Sequence, residues 1–175
     1  MKKNLLTEPY IAIFLLFLLF LFLFLSHFFP FFSNFVIIVL SLPLFLYPLS
    51  PLGFKYIKKG FLIGFISSLI YLPFIKFEKV SYIENINIFI FSIFEEIFFR
   101  GYLFFALKIK NVHIKNLFIS FIFSLAHVIL YGDLTKITVF FPSLIFGYLY
   151  IYSGSIIAPI IFHIFSNLFY ISNFR

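Results

Sequence analysis

A helix needs about 20 apolar residues to cross the hydrocarbon core of a bilayer. This chain offers seven runs near that length, separated by short polar loops: 10–29, 31–49, 60–77, 86–107, 116–131, 137–152 and 154–171. Composition points the same way. Of the 175 residues, 63% are hydrophobic and 11% charged, against about 45–50% apolar and about 25% charged in soluble domains. Mean hydropathy is +1.15. The fold class expected is therefore an all-α integral membrane protein, a polytopic bundle of about seven transmembrane helices forming one domain over residues 1–175. The first run follows Met1-Lys2-Lys3, yet it is too long for a signal-peptide core and no small-residue cleavage site follows. It reads as a retained span. Pro30 divides it from the second run, which leaves two spans, one long broken helix or a re-entrant hairpin open there.

The net charge of +7 does not indicate a nucleic-acid partner. The lysines sit in short loops between apolar runs, where they set orientation and anchor headgroups, and no basic surface domain exists to carry RNA or DNA. With seven spans, Lys2, Lys3, Lys55, Lys58, Lys59, Lys108, Lys110 and Lys115 fall on one side, and Lys76, Lys79, Lys136 and Arg175 on the other. The expectation is a multi-pass protein of the cell membrane with a cytoplasmic N-terminus. The absence of cysteine excludes a thiol nucleophile, thiolate ligands and disulfides.

Against this background the segment "FSIFEEIFFRGYLFF", residues 91–105, is anomalous, because it places three charges inside an apolar run. Each costs at least about 2.5–3.5 kcal/mol to insert at the bilayer centre, and such residues are functional candidates by default. On a helix Glu95 and Glu96 point about 100° apart. Glu96 and Arg100, four residues apart with the acid first, share a face in the favourable order for an ion pair. Arg100 can thus pin Glu96 and leave Glu95 a free carboxylate, a strong base in a low-dielectric cavity. A buried pair that only locks two helices is the plainer reading, but packing does not require the second glutamate.

Two of the four histidines lie inside other runs. "FSLAH" sets Phe123 and His127 at i, i+4, and "HIFSN" does the same for His163 and Asn167, so each pair faces one way. Counted from the loops, Glu95, His127 and His163 lie within about 6 Å of one another in depth. Polar groups in hydrocarbon must find partners, so three packed helices would gather these residues into one pocket. His27, at the end of the first run, and His113, in a basic loop, read as interfacial or solvated.

Such a pocket suits hydrolysis. A carboxylate and an imidazole can activate a water, while a second imidazole and an amide donate to an oxyanion. A divalent metal such as zinc held by His127, His163 and Glu95 is the other arrangement of the same groups. Other protease chemistries are missing: there is no H-E-x-x-H, Asp133 is the only aspartate, and no G-x-S-x-G occurs. A proton relay would also use Glu and His, yet there is no evident inverted repeat and few polar positions lie outside these motifs.

The ordered set "EEIFFRG", "FSLAH" and "HIFSN" resembles the three motifs of the CPBP family. That family comprises the type II CAAX prenyl endopeptidases and the bacteriocin-processing or immunity proteins, also called Abi. The likeness covers about residues 86–171, with residues 1–85 as accessory spans, and extends to "RGYLF" and "GSIIAPIIFH" beside the motifs. It implies an intramembrane endopeptidase of glutamic or metallo type. Glu95 would activate water with His127, His163 and Asn167 would stabilise the oxyanion, and Glu96 and Arg100 would hold the site together. It implies a peptide or protein substrate, lipidated or bacteriocin-like, and leaves a metal-dependent and a metal-free mechanism both open. A non-catalytic immunity or membrane-binding protein is the alternative within the same resemblance.

Three backbone features carry further expectations. Gly154 and Ala158 should let the last span approach a neighbour closely. Pro159 should bend that span one turn before His163, and Pro142 should act likewise in the sixth. Gly101 should permit a close approach beside Arg100.

Overall fold

The computed structural model describes residues 8–77 and 81–174 and contains helices and no strands among them. Lys2, Lys3, Lys79 and Arg175, used above to orient the chain, lie outside the described residues. Each apolar run gives one helix: α1 (Glu8–Ser26), α2 (Ser33–Leu46), α3 (Ile57–Ser68), α4 (Tyr82–Glu96), α5 (Val112–Tyr131), α6 (Phe140–Ser153) and α7 (Ile157–Phe174). α4 does not stop at Glu96. It continues through a π-helical stretch, Ile97–Leu103, into a last turn, Phe104–Ala106.

The local sequence explains where the helices begin and end. Ser81 and Glu84 form a reciprocal capping box at the start of α4, and the Asn111 side chain accepts from the amides of His113 and Ile114 at the start of α5. Gly132 (φ 62°) and Gly154 (φ 69°) end α5 and α6 in the left-handed region, which glycine enters without a Cβ clash. Pro30 opens a short 3₁₀ turn, Pro30–Phe32. It joins α1 to α2 as two separate helices that pack against each other.

Length separates the helices. Four helical segments are long and apolar enough to cross a membrane: Glu8–Ser26, Val112–Tyr131, Leu134–Ser153 and Ile157–Phe174. At 1.5 Å per residue, the 14 residues of α2 reach about 21 Å and the 12 of α3 about 18 Å. The third run is therefore not helical throughout. α3 ends at Ser68, and the chain then passes through a 3₁₀ turn, Leu72–Phe74, with Pro73 inside it. Proline cannot supply the amide that would continue the helix.

Lipid tails are as apolar as leucine, so close approach rather than a water-driven effect holds such helices together. α1 shows this division. Ala12, Leu15, Leu19 and Leu23 form a buried stripe, while Ile13, Phe14, Phe17 and Phe24 are exposed. The stripe packs with Val36, Val39 and Leu40 of α2 against Phe98, Phe99, Tyr102 and Leu103. α3 approaches α7 through small residues: a Cβ at Gly64 would lie 2.9 Å from the Ala158 Cα. Ala158 thus serves the close approach expected of it.

Its expected partner does not lie in the same helix. Gly154 caps α6, and α7 starts only at Ile157. Pro159 consequently falls in the first turn of α7, where its missing amide has no partner to lose, and it does not bend the helix before His163. The Ser155 carbonyl that it leaves free accepts from the Ser153 hydroxyl at 3.0 Å. Pro142 likewise sits in the first turn of α6.

Candidate active site

The polar cluster is built where α4, α5, α6 and α7 meet. Glu96 and Arg100 lie on successive turns and are both fully buried, with Arg100 Nη1 donating to Glu96 Oε1 at 3.1 Å. The guanidinium also donates from Nη2 to the Ser143 carbonyl at 2.8 Å and to the Ser143 hydroxyl. It lies over two aromatic faces, 4.6 Å from the Phe123 ring centroid and 5.2 Å from that of Phe146. Cation–π attraction of this kind gains strength when desolvated. One arginine thereby ties α4 to α5 and α6.

The Glu96 carboxylate also meets α7. His163 Nδ1 stands 2.9 Å from Glu96 Oε1. The His163 ring is buried and stacks on Phe146, with centroids 4.4 Å apart and planes at 26°. Its other nitrogen, Nε2, lies 3.6 Å from Glu95 Oε2. That is too long for a direct hydrogen bond and is a separation a water can bridge. His163 thus stands between the two glutamates, bonded to the inner one and set back from the outer one.

Glu95 differs from Glu96 in setting as well as direction, since its side chain keeps 16% exposure where Glu96 keeps none. Glu95, His127, His163 and Asn167 line one cavity of about 990 Å³, whereas Glu96 and Arg100 stand behind its wall. His127 Nδ1 lies 3.0 Å from the Phe123 carbonyl. A carbonyl only accepts, so Nδ1 carries the hydrogen and Nε2 of a neutral ring is left as a proton acceptor. The Phe123 ring lies 4.5 Å from His127 and 5.9 Å from His163, centroid to centroid. Asn167 donates from Nδ2 to Ser92 Oγ at 3.1 Å, which uses one of its two amide hydrogens.

The structure therefore brings Glu95, Glu96, Arg100, His127, His163 and Asn167 into one region. The other two histidines do not line the cavity. His27 Nε2 bonds to the Ile129 carbonyl and closes the end of α1 against α5, and His113 sits in the first turn of α5. Three residues of the cluster carry no motif. Ser92 precedes the glutamates by three and four positions, a spacing that puts it on their side of α4. Ser143 follows Pro142, and Phe146 lies three residues further along α6. Gly101 makes the close approach expected of it, to backbone: a Cβ there would lie 2.7 Å from the Leu52 carbonyl oxygen.

Glu95, His127 and His163 are also the donors a divalent ion would need. Among the described residues no three His, Asp or Glu side chains form a group able to hold a metal. His163 Nδ1 is engaged by Glu96 and His127 Nδ1 by the Phe123 carbonyl, which leaves both Nε2 atoms available. The three donors nevertheless do not come together as a three-ligand group.

Residues 83–169 match the family model described as Type II CAAX prenyl endopeptidase Rce1-like. No curated protein and no solved structure matches the chain.

Proposed function

Because residues 83–169 of the chain belong to the type II CAAX prenyl endopeptidase Rce1-like family, we propose that the cavity is the site of an intramembrane endopeptidase working by a metal-free glutamate mechanism. The observation that carries the reading is the sorting of polar groups across the cavity wall. Glu95, His127, His163 and Asn167 face the cavity, and the Glu96–Arg100 pair lies behind them. A buried ion pair is a poor source of stability, and here Glu96 Oε2 and Arg100 Nε have no hydrogen-bond partner among the described residues. The pair is better understood as the support that fixes His163.

In the proposed reaction the Glu95 carboxylate takes a proton from a water, and the hydroxide attacks the scissile carbonyl carbon. The C–O bond forms as the carbonyl π electrons move to oxygen. With hydrogens on both ring nitrogens, His163 keeps Nδ1–H on Glu96 and donates from Nε2 to that oxyanion, as does the second amide hydrogen of Asn167, the preorganised arrangement that supplies the largest share of many rate enhancements. Collapse of the intermediate breaks the C–N bond, and the proton held by Glu95 goes to the leaving amine. His127 assists Glu95 through its unprotonated Nε2. Glu96 and Arg100 are positioning residues.

The substrate is a peptide or protein segment, and a bacteriocin-type precursor belongs to the same proposal. The loop lysines support a multi-pass arrangement in the cell membrane with the N-terminus on the cytoplasmic side.

The test is cleavage of a fluorogenic peptide set by purified protein in detergent, comparing the native chain with Glu95→Ala and His127→Ala, each with and without chelator. Loss of cleavage in both variants and indifference to chelator is the expected result. Cleavage retained by both variants would remove the site assignment. Cleavage lost on chelation would replace the carboxylate route with a metal one.

A further inference from the structure

We propose that the cavity opens on the membrane face opposite the lysine-rich loops, so that its substrate is a peptide already on the extracytoplasmic side. The inference rests on the endopeptidase reading for what happens in the cavity, and on independent observations for how the cavity is reached.

The two ends of the bundle are fixed by contacts between loops. At one end, the Ile156 amide donates to the Gly53 carbonyl at 2.9 Å. There too, Lys59 Nζ bonds the Tyr152 carbonyl at 2.9 Å and Lys115 Nζ the Phe104 carbonyl at 3.0 Å. The α2–α3, α4–α5 and α6–α7 connections therefore share a face. At the other end, His27 bonds the Ile129 carbonyl. Asn173 Nδ2 donates to the Phe74 carbonyl at 2.9 Å, and Lys136 Nζ to the Tyr170 hydroxyl at 2.9 Å. The α1–α2, α3–α4 and α5–α6 connections gather there with the end of α7.

Charge is unequal between these faces. Among the described residues the first carries Lys55, Lys58, Lys59, Lys108, Lys110 and Lys115, and the second Lys76 and Lys136. Loops rich in lysine remain on the cytoplasmic side.

The cavity wall belongs to the second face. From the Glu95–His163 level it runs along α7 past Asn167 and Tyr170 to Phe174, residues four, seven and eleven positions beyond His163 and so on one side of the helix. At its outer end it is lined by Glu84, Asn87, Tyr131, Thr135 and Lys136, polar groups suited to a wet entrance. Lys136 is held there over the Tyr131 and Tyr170 rings, 5.3 Å from each centroid. No residue of the lysine-rich connections, 47–56, 107–111 or 153–156, lines it. A cytosolic protein tail would meet the closed end. A translocated or secreted peptide would meet the open one.

The chain has no cysteine, so single-cysteine variants report without background. Three are needed: Thr135→Cys at the entrance, Ser166→Cys on the cavity wall between His163 and Asn167, and Ser50→Cys on the lysine-rich face. Cells expressing each full chain are treated with a membrane-impermeant maleimide before or after permeabilisation, with labelling after denaturation as the measure of total thiol. The expected result is labelling of Thr135→Cys and Ser166→Cys in intact cells, and of Ser50→Cys only after permeabilisation. Labelling of Ser50→Cys in intact cells would overturn the proposal. So would a Ser166→Cys reached only after permeabilisation or only after denaturation. Because labelling needs no turnover, a Glu95→Ala chain that labels as expected yet retains cleavage would refute the catalytic reading alone.

Discussion

His163 Nδ1 and Glu96 Oε1 lie 2.9 Å apart across 67 positions of sequence. Glu96 Oε1 also accepts from Arg100, so one carboxylate oxygen joins a histidine of α7 to an arginine held by α6. The orientation of the His163 ring therefore depends on a charge that never reaches the cavity.

Glu95→Gln keeps the size of the side chain and removes the base. Peptide cleavage should fall by about 100- to 10,000-fold, while the melting temperature in detergent stays near that of the native protein. Glu95 is partly exposed, and its 3.6 Å contact with His163 is too long for a hydrogen bond whose loss would loosen the bundle. A cleavage assay paired with a thermal melt checks both halves.

Arg100→Met leaves Glu96 buried without its cation. Stability should fall by about 3–5 kcal/mol, the usual cost of breaking a buried pair from one side. Adding Glu96→Gln should recover part of that loss without restoring cleavage. Chemical unfolding of the two single variants and the double variant measures the coupling.

Ser92→Ala removes the acceptor for Asn167 Nδ2 and leaves every side chain that meets the substrate, Asn167 included, in the chain. A drop in kcat of about fivefold, equivalent to roughly 1 kcal/mol, is expected with KM little changed. Ser92→Thr, which retains the hydroxyl, should stay closer to the native rate. A fall in stability with kcat intact would mark Ser92 as packing only.

Gly147→Ala should destabilise the α5–α6 contact by about 1–3 kcal/mol, because a Cβ at that position would lie 1.7 Å from Asn116 Oδ1. Asn116 cannot simply withdraw, since its Nδ2 bonds the Leu144 carbonyl at 3.1 Å. Shortening Asn116 to alanine in the same chain should recover stability, and melts of the four combinations would show it.

The charged part of the site was legible because charge inside an apolar run is costly and therefore conspicuous. Four-residue spacing was enough to pair Glu96 with Arg100. Ser92, Ser143 and Phe146 were not legible for the opposite reason. A serine or phenylalanine in a transmembrane run is ordinary, and only tertiary packing gives these three a role. Hydropathy located each helix yet misjudged its ends. The run at 60–77 is apolar throughout, while its helix stops at Ser68. Pro159 was misread because the run at 154–171 conceals the Gly154 turn that delays the start of α7 to Ile157. Nothing in a period of 3.6 residues signals the π-helical stretch.

That stretch sets the site apart in one more respect. Residues Ile97 through Leu103 are all buried, so for seven consecutive positions the helix has no outward side. A surface helix can accumulate changes on its free face without disturbing its neighbours, and here no such face exists. Phe98, Phe99, Tyr102 and Leu103 share their cluster with Leu15, Leu19 and Leu40. This segment can change only in matched steps with every helix around it, α1 and α2 as well as α5 and α6, which makes the two N-terminal helices part of its inheritance.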